Sequence, residues 1–196
     1  MERLAMALLI RIFFLAAGLT VPGMALAHPG PHPDGAFATG FLHPFFGIDH
    51  LLAMACVGLW ALQLGGRYRI IVPAAFVISM GAGAALGAAG IVLPFVEAGI
   101  ALSVLALGLL VAFSARVAWY WAVAAVAMFA VFHGHAHGTE IPLLRTHWVY
   151  FSGFLTATAL LHGSGVILGL MLGRTDAVRA TGAAVSLAGL CLVLST

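Results

Sequence analysis

The chain has 196 residues, 63% of them hydrophobic and 7% charged, with a mean hydropathy of +1.14. A soluble domain carries about a quarter charged residues, so this composition describes an integral membrane protein, and a net charge of +2 leaves no electrostatic footprint for nucleic acid. Lysine is absent, which excludes a Walker A phosphate loop and any lysine Schiff base to retinal or pyridoxal phosphate.

Residues 1–27 read as a secretory signal. Arg3 and Arg11 supply positive charge, an apolar stretch runs from Ile12 to Leu19, Pro22 and Gly23 break it, and Ala25-Leu26-Ala27 fits a small-residue cleavage site. An uncleaved first transmembrane helix is the competing reading. Cleavage leaves His28 first and puts the mature N-terminus outside. Residues 28–41 then form a periplasmic tail whose start, "HPGPHPDG", is too rich in Pro and Gly to be helical. Its His28, His32 and Asp34 are either a solvated tail or a place where metal gathers.

Six further apolar runs follow, near residues 42–63, 69–89, 94–114, 117–134, 148–172 and 177–195. Each is close to the roughly 20 residues that cross a bilayer as a helix. The expected fold is therefore an all-α membrane protein, a compact bundle of six transmembrane helices over residues 42–196 behind the signal peptide. Arginine sets its direction. Arg67, Arg69, Arg116, Arg174 and Arg179 lie by the first, third and fifth loops, and Arg145 alone lies on the other side. Those three loops are placed in the cytoplasm of a bacterial cell, below the inner membrane. Gly83 with Gly87 and Gly169 with Gly173 are small-xxx-small pairs that predict close helix packing. Cys56 and Cys191 sit in apolar runs and read as packing residues.

Ionisable residues in such spans are costly and need a reason. The first span opens with "FLHPFFGIDHLLAM", residues 41–54. On one continuous helix His43, Gly47, His50 and Met54 share a stripe, with Asp49 about 100° round from His50. Pro44 suits a first helical turn, Gly47 leaves space for a ligand or a close helix, and Asp49 is placed to orient a liganding imidazole. Met54 reads as core before it reads as a thioether ligand. The fourth span ends with "FHGHAHGTE", residues 132–140. His133 and His137 share a face if the helix continues, while Gly134 and Gly138 would unwind it and present carbonyls instead. Glu140 follows. Glu97 and His147 open the third and fifth spans in the same outer layer. His162, in "LLHGSG", lies past the midplane, either as a hydrogen-bonding packing residue or, with Ser164, as a deeper polar point.

Two His/carboxylate groups at one depth on separate spans suit a metal or proton site. Imidazole with carboxylate fits Ni(II) or Co(II), and Zn(II) almost as well. No prosthetic group is expected, and proton competition should appear as pH falls through roughly 6.5, the ordinary histidine value. Three rivals stand beside a permease: a haem electron carrier with His50 and His133 as axial ligands, a membrane metal sensor or store, and an intramembrane protease built on "HGSG", whose first glycine is here His162.

The segment from His43 to Met54 matches His-Pro-x-x-Gly-x-Asp-His followed by Ala-Met, and the segment from Phe132 to Glu140 matches a second family pattern. With a signal that ends before "HPG", the whole chain resembles the HupE/UreJ family of nickel permeases. That resemblance implies a non-enzymatic secondary carrier of Ni(II) or Co(II) that supplies hydrogenase or urease, with cytoplasmic nickel chaperones as partners. It also implies His43, Asp49, His50, His133, His137 and Glu140 as transport-site residues. The larger nickel/cobalt transporter family has four residues between the first His and the Asp; here there are five, so its geometry is not carried over. His135 is an additional histidine within the second motif, either a ligand or incidental.

Overall fold

Backbone amides in hydrocarbon are satisfied only within helices or closed barrels, and every regular element among the described residues is helical. The structure, a computed structural model, describes residues 36–140, 147–173 and 175–196, with the backbone alone at Glu140 and His147. The signal sequence and its cleavage site, His28, His32, Asp34, Arg145 and Arg174 lie outside the described residues. Helix α1 spans Ala36–Leu42, and a 3-10 turn covers His43–Phe45. Then come α2 (Ile48–Leu64), α3 (Tyr68–Ala88), α4 (Val96–Ala112), α5 (Trp119–Glu140), α6 (His147–Leu172) and α7 (Thr175–Ser195).

Among the described residues three helices are long and apolar enough to cross a membrane: α3, residues Trp148–Leu172 of α6, and α7. The pair Ala36–Phe45 and Ile48–Leu64 passes together as a fourth span, bent by 80°. Helix α4 is apolar but has 17 residues, about 26 Å of rise against a hydrocarbon core of about 30 Å. Large apolar side chains such as Ile70, Ile78, Leu102, Leu170 and Leu187 stand exposed on the outer surface, as lipid requires and water would penalise. The chain is thus an integral membrane protein.

The bend corrects the expected first span. Residues 42–63 do not form one helix: His43–Phe45, with Pro44 in its first positions, is a separate turn, and Gly47, with φ −94° and ψ 114°, is extended and opens α2. His43, Gly47, His50 and Met54 therefore share no continuous stripe. In the fourth run the alternatives resolve the other way, for α5 continues through Gly134 and Gly138 to Glu140.

Residues 36–196 form one unit held by close helix pairs, of which α3 with α5 and α4 with α7 are the most extensive. The cause is glycine against backbone. A Cβ on Gly83 would overlap the Val131 carbonyl of α5, and one on Gly134 would overlap the Met80 carbonyl of α3. Between α2 and α6, Gly58 lies against the His162 carbonyl and Gly165 against the Ala55 carbonyl. Such approach replaces the hydrophobic drive that lipid cannot supply. Gly83 and Gly87 pack as expected; the second pair divides. Gly169 faces Leu62, whereas Gly173 has φ +58° just past α6. Gly173→Ala is expected to cost about 1 kcal/mol through the left-handed backbone. This should appear as a small fall in the detergent melting temperature, with transport unchanged.

The end of the bundle where the first, third and fifth loops lie, those expected to carry arginine, is tied by side chains. Trp60 Nε1 donates to the Ala115 carbonyl at 2.9 Å, Tyr68 Oη to Val117 at 3.2 Å, and Arg179 Nε to Ala112 at 2.8 Å. Arg67 stacks over Trp119 at 5.6 Å. The histidines gather at the opposite end.

Candidate metal-transport site

The Gly47 break lets Asp49 turn back on its neighbour. Its Oδ1 accepts from the backbone N–H of His50 at 2.7 Å and lies 2.6 Å from His50 Nδ1. The first of these satisfies an amide that a helix N-terminus leaves without a partner. The second fixes the ring: a carboxylate only accepts, so His50 Nδ1 carries the proton and Nε2 holds the lone pair. A Cβ on Gly47 would come within 2.8 Å of Asp49 Oδ1 and 2.9 Å of His50 Nδ1. The space expected for a ligand is filled by this pair.

Across the bundle, α5 presents His133 and His137, one helical turn apart. His137 Nε2 lies 2.6 Å from His50 Nε2, so in the neutral pair His137 donates. The His50 and His133 ring centroids are 4.6 Å apart and nearly perpendicular. His43, on its separate turn, packs its ring edge-on to His137 at 4.7 Å. The structure thus brings His43, Asp49, His50, His133 and His137 together, four of them histidines. Helices α2 and α5 scarcely approach through their backbones; they meet through imidazoles.

Three participants were not singled out in the sequence. Ser103 of α4 gives its hydroxyl proton to the Ile100 carbonyl at 2.6 Å and lies 2.7 Å from His133 Nε2. Its oxygen therefore accepts from His133 Nε2–H, and His133 Nδ1 keeps a buried lone pair with no partner. Leaving such a group unsatisfied costs about 1–3 kcal/mol. Phe154 of α6 packs on His137 at 4.2 Å, and Phe76 of α3 on His133 at 5.9 Å. The available signal was weak: Ser103 is the one polar residue of α4 beyond its first turn, and aromatic residues in apolar helices carry no mark of what they face.

Other candidates fall elsewhere. His135 points away from the cluster and ties α5 to the α3–α4 connection through the Ile91 carbonyl at 2.7 Å. Glu97 is exposed in the first turn of α4. Glu140 ends α5 less than one turn past His137, and its side chain lies outside the described set, as does that of His147. Met54 is fully buried core. Ser164 does not accompany His162: it is exposed and bonded back to the Leu161 carbonyl at 2.7 Å, while His162 is 1% exposed.

The donors do not form a ready coordination sphere. Among the described residues no three His, Cys, Asp or Glu side chains are arranged to hold one ion. First-row metal–imidazole bonds run about 2.0–2.1 Å, so two nitrogens on one ion stand about 3 Å or more apart; 2.6 Å is a proton-sharing distance. An ion entering here has to part His50 from His137 and displace the proton between them. The haem alternative fails on space, since rings 4.6 Å apart admit no porphyrin between His50 and His133.

These features define a helical membrane protein with a histidine–carboxylate cluster inside its bundle. The chain belongs to the HupE / UreJ protein family, whose model matches residues 15–192. It is 48% identical over 181 residues to Protein HupE of Rhizobium leguminosarum bv. viciae, covering 91% of this chain and 94% of that protein. No solved structure matches it.

Proposed function

We propose that the protein is a secondary permease that takes up Ni(II), with Co(II) and Zn(II) as competitors, across the bacterial inner membrane for nickel enzymes such as hydrogenase or urease. The observation that carries this reading is the facing of two imidazole Nε2 atoms, His50 and His137, with the Asp49 carboxylate behind one of them. Nitrogen and oxygen donors without thiolate suit these cations, and a carboxylate that orients a liganding histidine recurs at metal sites. In this reading the bent first span and α3 to α7 make six crossings behind a signal peptide at 1–27, with the mature N-terminus periplasmic.

His28, His32 and Asp34 gather hydrated metal. The cluster of His43, Asp49, His50, His133 and His137, joined by Glu140, exchanges water for imidazole and carboxylate. Few strong donors act at once, so the ion can leave. The metal gradient, membrane potential, proton coupling or trapping by cytoplasmic nickel chaperones supplies the drive.

The test is radioactive nickel uptake by cells that express the wild type, His50→Ala or His133→Ala at matched levels. Wild type should raise uptake well above the empty-vector background and both variants should fall to it. Excess cobalt or zinc should reduce the wild-type signal. A wild type that accumulates no more nickel than the empty vector removes the permease reading.

A further inference from the structure

Among the described residues, His162 is the one buried histidine that the outer cluster does not use and no hydrogen bond explains. It is 1% exposed, and neither ring nitrogen has a partner. A leucine there would fill similar space without desolvating two polar atoms, so packing alone does not account for an imidazole. Its backbone is fixed, because Gly58 of α2 lies directly on its carbonyl. Its ring meets the Phe76 ring edge-on at 5.0 Å.

Phe76 touches a second histidine as well. His133 packs against it at 5.9 Å, and His133 Nδ1 is also without a partner. Four imidazoles thus run in file, His43 to His137 at 4.7 Å, His137 to His50 at 4.4 Å, His50 to His133 at 4.6 Å, and Phe76 touches both the last of them and His162. Depth agrees with this order. Phe154, which packs on His137, and His162 lie eight residues apart on α6, about 12 Å along the helix axis. The direction is toward the end tied by Trp60, Tyr68 and Arg179.

We propose that His162 is an inner station for the transported divalent cation, which it receives from His133 past Phe76. The inference rests on the permease reading. A single unpartnered lone pair at each stage lets the ion be handed on without being trapped, which a second complete ligand set would prevent. The unpartnered nitrogens of His133 and His162 are the two donors of the hand-over.

The test compares His162→Leu, which keeps bulk and removes the donor, with His162→Cys, which keeps a metal donor in less volume. Both are made in the full chain, reconstituted in liposomes at equal protein content, with nickel uptake read over a concentration series. The leucine variant should lose at least ten-fold in maximal rate, with its half-saturating concentration within two-fold of wild type, because the outer cluster is intact. The cysteine variant should recover a substantial part of that rate. Cobalt absorption spectra of the detergent-purified variants should match wild type at the outer cluster. Wild-type transport by the leucine variant overturns the inner station and leaves the permease reading in place. So does equal loss in leucine and cysteine variants of normal size-exclusion profile, which marks a packing role. Should His162→Leu not accumulate, His162→Gln, polar and of similar length, takes its place against the cysteine under the same criteria. A wild type that moves no nickel overturns both readings together.

Discussion

The Asp49→Asn protein, present in the membrane at wild-type level, is expected to take up nickel at about a tenth to a hundredth of the wild-type rate, the loss typical of removing a group that orients a metal-binding histidine. The reason is the tautomer. The carboxylate accepts from His50 Nδ1–H and so leaves the lone pair on Nε2, facing His137. An asparagine has the same shape but can rotate its amide toward Nδ1 and donate, which moves the ring proton to Nε2 and faces donor with donor. Asp49→Glu keeps the charge on a longer arm and should lie between the two. Initial uptake rates with membrane levels measured by immunoblot decide it. An asparagine variant at the wild-type rate would show that His50 needs no carboxylate.

A second large effect is expected far from any donor atom. Gly134→Leu should remove most of the protein from the membrane fraction or leave it aggregated in detergent. The side chain would be driven into the Met80 carbonyl of α3, and helix pairs locked backbone to backbone cannot relieve overpacking by a rotamer change; such insertions cost about 1–3 kcal/mol even in adaptable cores. Gly163→Ala is the matched control. A Cβ there meets open space, and alanine favours a helix over glycine by about 1 kcal/mol, so yield and melting temperature should be equal or higher. Size-exclusion profiles of the two variants read the contrast directly. A monodisperse Gly134→Leu protein would mean that α3 and α5 do not pack as described.

Much of this arrangement was legible in the sequence because it rests on periodicity and hydropathy. The apolar runs mark α3, α4, α6 and α7 to within about two residues, but start six residues before α2 and stop six short of the end of α5; helical spacing puts His133 and His137 on one face. His135, two residues from each, necessarily points elsewhere, although the sequence alone left its role open. The break at Gly47 was missed for a physical reason. Pro44 and Gly47 each fit inside or at the start of a helix, and only the packing of α1 on α6 makes the turn between them worthwhile. Ser103 and Phe154 were invisible because they come from helices that carry no motif, and partners across a bundle are set by which faces meet. Ser164 was paired with His162 by proximity in the chain, yet two residues along a helix point about 200° apart.

The glycine contacts have a consequence for how this site responds to substitution. His133 and His137 ride on a helix seated against α3, and His50 rides on one seated against α6, so each set of donors is carried on its own frame. The 2.6 Å between His50 and His137 is then a gap between two frames. Any substitution that thickens a glycine seam by a methyl group displaces a whole set of donors without touching one of them. The spacing of the cluster can drift through silent-looking changes at the seams while every histidine stays in place.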